Sequence, residues 1–381
     1  MKQSVKRILT THTGSLPRSE ALLKFILARD AGEKVDETAF QACLRDDVRA
    51  IVAQQTAAGV DVVSDGEQSK ISYSTYVKDR MTGFGGEGTQ LVAKDLAEYR
   101  DYTIRAVKGG TLSPIGKLPC CEGPVALKDT TALETDLRNF GAAVQAAQPE
   151  DAFLNAASPG VVAVFLENRH YPSHQAYLEA LAAVLKTEYE AIVNAGFLLQ
   201  IDAPDLAMGR HLRFADQSVE EFRRTAELHI EILNHATAGI PPEQMRLHLC
   251  WGNYQGPHHH DIPLRDILDV ILKARPDGLS LEGANPRHEH EWEVLAGAAI
   301  PEQKVLIPGV IDSTSNFIEH PELVAQRIGR YAAIVGRERV IAGSDCGFAT
   351  FAGYPPVDPK IAWAKLRSLA EGARLASARL W

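Results

Sequence analysis

The chain has 381 residues, a formal net charge of −9, 45 % hydrophobic and 23 % charged residues, the balance of a soluble globular protein. Its acidic excess is spread along the sequence, which argues against nucleic acid or an anionic membrane surface as partner, since both select a basic face. No apolar run approaches the ~20 residues of a membrane helix, Met1 to Arg7 carries no signal-peptide core, and five sparse cysteines suit reduced thiols, so a cytoplasmic location is expected.

Strand-like and helix-like segments alternate nearly end to end, the pattern of parallel α/β architecture. Arg7 to Thr11 reads as a short strand closed by the turn Gly14-Ser15-Leu16-Pro17-Arg18. Helical patterns follow at about 19–30 and 36–58, with Gly59 at a C-terminal capping position. Val60 to Val63 is the second strand and ends in Ser64-Asp65-Gly66-Glu67. Residues from about 81 to 128 break the rhythm and are expected to form an insertion between the second and third strands, with hairpin strands near 102–107 and 123–127. The third strand is expected at the apolar run 161–166, introduced by Ser158-Pro159-Gly160. A helix at about 173–194 leads through Gly196 into a strand at 197–201 that closes with Asp202-Ala203-Pro204. A helix near 218–236 precedes the strand 245–250, and one near 264–274 precedes 279–282. The strand 304–308, a helix at about 321–335, the strand 339–342 and a terminal helix near 359–376 complete the order.

Setting the insertion aside, eight β-then-α units point to a single (β/α)8 barrel domain over 1–381. A doubly wound sheet would want a Gly-rich phosphate loop after an early strand, and none is present. Polar residues collect after the apolar run of nearly every strand. In a barrel those ends form one face, which carries the active site.

His248 and Cys250 stand two apart on one strand and so point the same way. With Glu282 and Cys346 on later strand ends they supply one nitrogen, two sulfurs and one oxygen, a donor set for four-coordinate zinc rather than for all-oxygen magnesium or calcium. Read alone, each has an ordinary role: a core histidine, a small buried thiol, an ion-paired carboxylate. Together they suit a catalytic zinc that holds a substrate thiol as thiolate for attack on an alkyl carbon. Hydrolysis by a zinc-bound water is the competing chemistry, for which two thiolate ligands make a poorer Lewis acid. Glu67 and Asp202 are placed to bind an ammonium group and Ser15 with its turn amides a carboxylate, although strand-end carboxylates often only cap helices. Trp251 and His258 complete the expected substrate contacts. His258 belongs to the loop Gly256-Pro257-His258-His259-His260-Asp261, whose adjacent histidines are not expected to share one ion. His288 and His290 are read mainly as helix-start residues, Cys43 as core, and Cys120 and Cys121 receive no role.

With these residues in view, the chain resembles the cobalamin-independent methionine synthase family, specifically its catalytic C-terminal barrel. The resemblance rests on Thr11-His12-Thr13-Gly14-Ser15-Leu16-Pro17, Gly66-Glu67, Gln200-Ile201-Asp202, the pair His248 and Cys250, and Asp345-Cys346-Gly347. It implies a (β/α)8 fold, zinc on His248, Cys250, Glu282 and Cys346, and homocysteine held at its amino-acid end by Ser15, Glu67 and Asp202. Methyltetrahydrofolate is the methyl donor it implies. The chain departs from the family pattern in two places: Asp202-Ala203-Pro204 stands for Asp-Glu-Pro, and Phe348-Ala349-Thr350-Phe351 replaces the basic residues after Asp-Cys-Gly. It also lacks the second, N-terminal barrel of the full-length enzymes. In length it is similar to a single-barrel branch that includes the epoxyalkane–coenzyme M transferases. The expected activity is therefore zinc-dependent alkyl transfer to a small-molecule thiol, with methyl transfer to homocysteine favoured and another donor or thiol as the alternative. A metal-free barrel of the uroporphyrinogen decarboxylase type, or a binding protein, is the reading from another class. A homo-oligomer is compatible with all of these.

Overall fold

The computed structural model of the protein describes residues 1–110, 112, 113 and 117–381. Eight short strands run parallel: β1 (Leu9–Thr10), β2 (Val62–Val63), β3 (Asp151–Ala157), β4 (Leu198–Asp202), β5 (Met245–Leu249), β6 (Gly278–Leu281), β7 (Val305–Ile311) and β8 (Ile341–Ser344). Their order is β1-β8-β7-β6-β5-β4-β3-β2. The ring closes where the Asp61 amide donates to the Thr10 carbonyl at 3.1 Å and the Thr11 hydroxyl donates to the Val62 carbonyl at 3.0 Å. This is a (β/α)8 barrel. Strands β4 to β8 are buried at every position, as parallel strands flanked by helices must be. Each buried Val, Leu or Ile contributes about 1.5–3 kcal/mol through removal from water.

Capping residues set the helix ends where the sequence predicts them. Ser19, Asp36, Ser173 and Ser218 each accept a backbone N–H in the first turn of helices Glu20–Asp30, Glu37–Ala57, His174–Asn194 and Val219–Ala236. Ser218 and Glu221 form a reciprocal capping box. Pro321 opens the helix Pro321–Val335, and the terminal helix runs on to Leu380. The expected helix at 264–274 is a 3₁₀ turn, Leu264–Asp266, followed by one α turn, Leu268–Ile271.

Three expectations are corrected. The run 161–166 is not the third strand: Pro159–Phe165 is a helix, with the Ser158 hydroxyl accepting the Val161 amide and Pro159 at the first helical position. The strand is the preceding Asp151–Ala157, whose Asp151 and Asn155 interrupt an apolar pattern. It is fed by a helix, Thr131–Ala147, absent from the sequence reading. In the insertion, residues 102–107 lie in the helix Arg100–Lys108, and the hairpin instead pairs Phe84–Gly85 with Cys120–Cys121, while Leu127 makes only an isolated bridge to Met81. Thr111 and 114–116, within the expected insertion, lie outside the described residues. Among the described residues no helix is long and apolar enough to cross a membrane.

The insertion lies across the C-terminal mouth of the barrel. Its short helix Lys94–Glu98 is tied to the loop after β5: Asp95 accepts the Tyr254 hydroxyl and the His258 amide, both at 2.8 Å. Tyr102 donates to the Gln255 carbonyl in the same loop. Glu98 meets His259 at 2.7 Å and His260 at 2.6 Å, so these adjacent histidines do converge on one carboxylate.

Candidate metal and substrate site

Strand alternation directs Arg246, His248 and Cys250 into the barrel, one above another. Arg246 is lowest, its guanidinium 4.1 Å above the Phe153 ring and donating to Thr11 and to the His12 carbonyl. His248 is buried, and neither ring nitrogen has a hydrogen-bond partner of normal geometry; the Ser280 backbone exerts only a secondary pull. Burial, reinforced by the Arg246 charge, lowers its pKa to about 3, so the imidazole is neutral. Orphaned nitrogens in a buried imidazole are costly unless something occupies them.

Cys250 follows β5 and Cys346 follows β8, and their sulfurs stand 3.7 Å apart. That is far from the ~2.05 Å of a disulfide. It matches the ~3.8 Å between two sulfurs on one tetrahedral ion at the usual ~2.3 Å zinc–sulfur distance. Donor atoms of His248, Cys250 and Cys346 all lie within 4.8 Å of one another. The Gly252 amide donates to the Cys250 sulfur at 3.2 Å. The neighbouring Cys346 thiol and burial hold the Cys250 proton on, well above the usual thiol range.

Glu282, the fourth expected ligand, stands outside that close set. One of its oxygens accepts the Trp251 amide at 2.8 Å and the other accepts the Asn285 side-chain amide at 2.7 Å. Burial, with Cys250 next, raises its carboxyl well above the usual range. Asp345 fixes the loop carrying Glu282: it accepts the amides of Gly283, Ala284 and Asn285, each at 2.8 Å, and the Asn285 side chain at 2.9 Å.

Two carboxyl groups adjoin the triad: Asp202, in register with His248 on the neighbouring strand β4, and Glu67, after β2. Glu67 has a left-handed backbone, φ 54°, and one of its buried oxygens has no partner. Burial and then the Asp202 charge raise its pKa to about 8. Asp202 accepts from Asn155 at 2.9 Å and from Gln200 at 2.8 Å, and burial leaves its pKa near 6. Asn155 and Gln200 also donate to the Thr13 carbonyl, joining β3 and β4 to the turn after β1. Asn155 escaped the sequence reading because its strand was placed ten residues too late; a lone Asn in an otherwise apolar run was the available signal.

A raised carboxyl pKa favours folding while the group is protonated. Stability conferred at Glu67 is therefore present below about pH 4.5 and falls as pH rises to about 8. Thermal unfolding of Glu67→Gln is expected to show a flatter decline than the parent between pH 5 and 8; parallel curves would refute the assignment.

Above these groups lies a cavity of about 410 Å³. Ser15, Glu67, Asp202, His248, Cys250 and Cys346 all border it. The insertion contributes much of its roof, including Leu91, Val92 and Leu96. Gly347 lets the Cys346 turn approach the substrate side: a Cβ there would fall 2.0 Å from the Ser15 hydroxyl oxygen. Trp251 and His258 do not line the cavity. Trp251 is wholly buried, donating to the Ile262 carbonyl at 2.7 Å and stacking on His288 at 4.2 Å. His258 stacks on Tyr254 and pairs with Asp261 at 2.8 Å. They brace the wall from behind, where aromatic faces can be covered on both sides. The cavity's own aromatic surface comes from Tyr73, Phe165, Tyr254, Phe351 and Tyr354; of these the sequence reading named only Phe351, within the run that replaces the family's basic residues.

The sequence matches the profile described as cobalamin-independent synthase, catalytic domain, over residues 160–365, more than half of the chain. It is 24 % identical over 381 aligned residues to a methionine synthase of Thermococcus kodakarensis, covering 96 % of this chain and 92 % of that protein. It is 27 % identical to a 5-methyltetrahydropteroyltriglutamate–homocysteine methyltransferase of Nitratidesulfovibrio vulgaris, covering 97 % of this chain and 42 % of that longer protein. A solved structure of a B12-independent methionine synthase from Shewanella sp., in complex with selenomethionine, shares the fold with a TM-score of 0.76 at 20 % identity, covering 98 % of this chain and 99 % of that one.

Proposed function

The chain belongs to the cobalamin-independent methionine synthase family, and on that premise we propose that it is a zinc-dependent S-methyltransferase that methylates the thiol of homocysteine. The observation that carries the reading is the buried triad: an imidazole with two orphaned nitrogens beside two sulfurs 3.7 Å apart. These residues fit zinc, with His248, Cys250 and Cys346 as permanent ligands. Glu282, adjacent but engaged by Trp251 and Asn285, is the member that a substrate thiol would replace. When bound, zinc would depress the pKa of a thiol below its free value of about 8.5 and hold it as a nucleophile at neutral pH.

The protein's own residues do the rest. Glu67 and Asp202 take the ammonium group of the amino acid, the added positive charge relieving the repulsion that raises the Glu67 pKa. The Ser15 hydroxyl, at the edge of the cavity, takes the carboxylate; the amides of Gly14 and Leu16 are already bonded to His12 and Gly66. Held at both ends, the amino acid presents its sulfur at the triad, and this alignment can supply several kcal/mol of the barrier reduction. The apolar roof excludes water, which would otherwise solvate the nucleophile and dull it.

The names of the relatives favour methyltetrahydrofolate as donor. A second reading, another alkyl donor, is favoured by the wall that replaces the family's basic residues: Phe351 and Thr350 border the cavity where the resemblance leads one to expect cations. The test of the shared chemistry is metal and thiol binding. Protein purified without chelators is expected to carry about one zinc. Its cobalt-substituted form is expected to show a thiolate-to-metal charge-transfer band that strengthens on adding homocysteine, and absence of zinc together with a band that homocysteine leaves unchanged would remove the proposal.

A further inference from the structure

We propose that the alkyl donor is a methylated onium compound, a sulfonium or quaternary ammonium, bound against the aromatic wall of the cavity; this rests on the thiol-methylation reading above. Two observations converge. First, no Lys or Arg borders the cavity among the described residues, and the four residues outside them are Thr111, Pro114, Ile115 and Gly116, none of them charged. The cations behind its wall are engaged elsewhere: Lys70 on the Asn155 carbonyl, Arg18 on the Glu67, Lys70 and Ala349 carbonyls, and Arg246, below His248, on Thr11 and the His12 carbonyl. A donor bearing a polyglutamate or phosphate tail would find no counter-charge inside.

Second, Tyr73, Phe165 and Phe351 form one continuous aromatic surface. The Tyr73 ring centroid lies 5.9 Å from each of the two phenylalanines, edge-on, and those two are 6.5 Å apart. All three border the same cavity as Cys250 and Cys346. Aromatic faces are the recurrent recognition surface for methylated cations, each desolvated contact being a cation–π attraction.

The chemistry agrees. The thiolate sulfur attacks the donor methyl carbon, and its lone pair becomes the new sulfur–carbon bond. The bond from methyl to the onium heteroatom breaks, its electron pair returning to that atom, which leaves as a neutral sulfide or tertiary amine. No proton moves and no oxidant or reductant is needed. Anion and cation annihilate, so a cavity of low polarity, which destabilises both separated charges, favours this transfer. An ether or epoxide would instead expel an alkoxide that must be protonated.

The test is methylation of homocysteine by the zinc-loaded protein with trimethylsulfonium, tetramethylammonium, anisole, propylene oxide, and methyltetrahydrofolate in mono- and triglutamyl form. The expected result is at least about a tenfold higher kcat/KM for one of the two onium probes than for every other donor. The two onium arms distinguish sulfur from nitrogen as the carrier. Phe351→Leu is expected to raise KM for that probe about tenfold with the cobalt–thiolate band intact. Preference for a folate or a neutral donor would overturn the inference, as would absence of onium turnover in protein whose cobalt–thiolate band is normal. A band that homocysteine leaves unchanged in the parent protein would instead overturn the thiol-methylation reading itself.

Discussion

Cys346→Ser is expected to lose its zinc during purification and to fall at least ~10³-fold in turnover, with the fold retained. A serine hydroxyl in this position cannot ionise at neutral pH and is a hard donor where the site offers soft ones. The loss does not stop at one ligand. The Cys346 and Cys250 sulfurs are 3.7 Å apart, the separation a shared ion would require, and removing one leaves the other as a lone buried thiol. His248 then regains one buried unpartnered nitrogen, a standing penalty of about 1–3 kcal/mol. Metal analysis and turnover of the variant, with Cys43→Ser as a control far from the site, decide the matter. A Cys346→Ser protein that keeps both its zinc and its activity would remove the triad from the mechanism.

That triad was legible because strand ends are legible. An apolar run closed by a polar residue tells where a parallel strand stops, and the barrel topology gathers such stops on one face. His248, Cys250 and Cys346 needed no more than that. The helix boundaries were equally open, since Ser173 and Ser218 cap by a mechanism written in the residue itself. The third strand was not, because its inward residues are functional. Asn155 faces inward to hold Asp202, and Phe153 lies under Arg246, so the run looked too broken to be a strand, while the cleaner run beside it was a helix. There Ser158 and Pro159 form a cap and first-turn pair that outranks apolar continuity.

The substrate wall divided along the same physical line. Ser15, Glu67 and Asp202 sit directly at strand ends or their turns, so their direction follows from topology. Trip points came one residue further out. Trp251, next in sequence after Cys250, points the opposite way by simple alternation and is buried behind the wall. Tyr73, Phe165 and Phe351 reach the cavity from a loop after β2, the end of a helix and the loop after β8, where no periodicity announces direction. The roof is less legible still, because the insertion's helices are fixed by contacts made to the β5 loop, such as Asp95 to Tyr254, that no local pattern encodes.

Asp345→Asn is expected to weaken zinc binding 10–100-fold without touching a ligand. In the parent one carboxylate oxygen accepts the Gly283 and Ala284 amides, and the other accepts both the backbone and side-chain amides of Asn285. An asparagine can satisfy only one of these oxygens' partners; its own NH₂ would face donors on the other side. Each stranded buried donor costs about 1–3 kcal/mol, and the loop relieves that cost by moving. Asn285 cannot move alone, since the same side-chain amide also holds Glu282. Nor can Asp345 retreat, because it presses on β7 at Gly309, where even a Cβ would fall 2.0 Å from its carboxylate oxygen and 2.7 Å from its backbone nitrogen. The residue before Cys346 is thus the strut that keeps the β6 loop and the β8 loop in one register, and through them Glu282 beside the two sulfurs. Chelator competition measures the effect directly: a zinc affinity within about twofold of the parent would show that the register survives without this carboxylate.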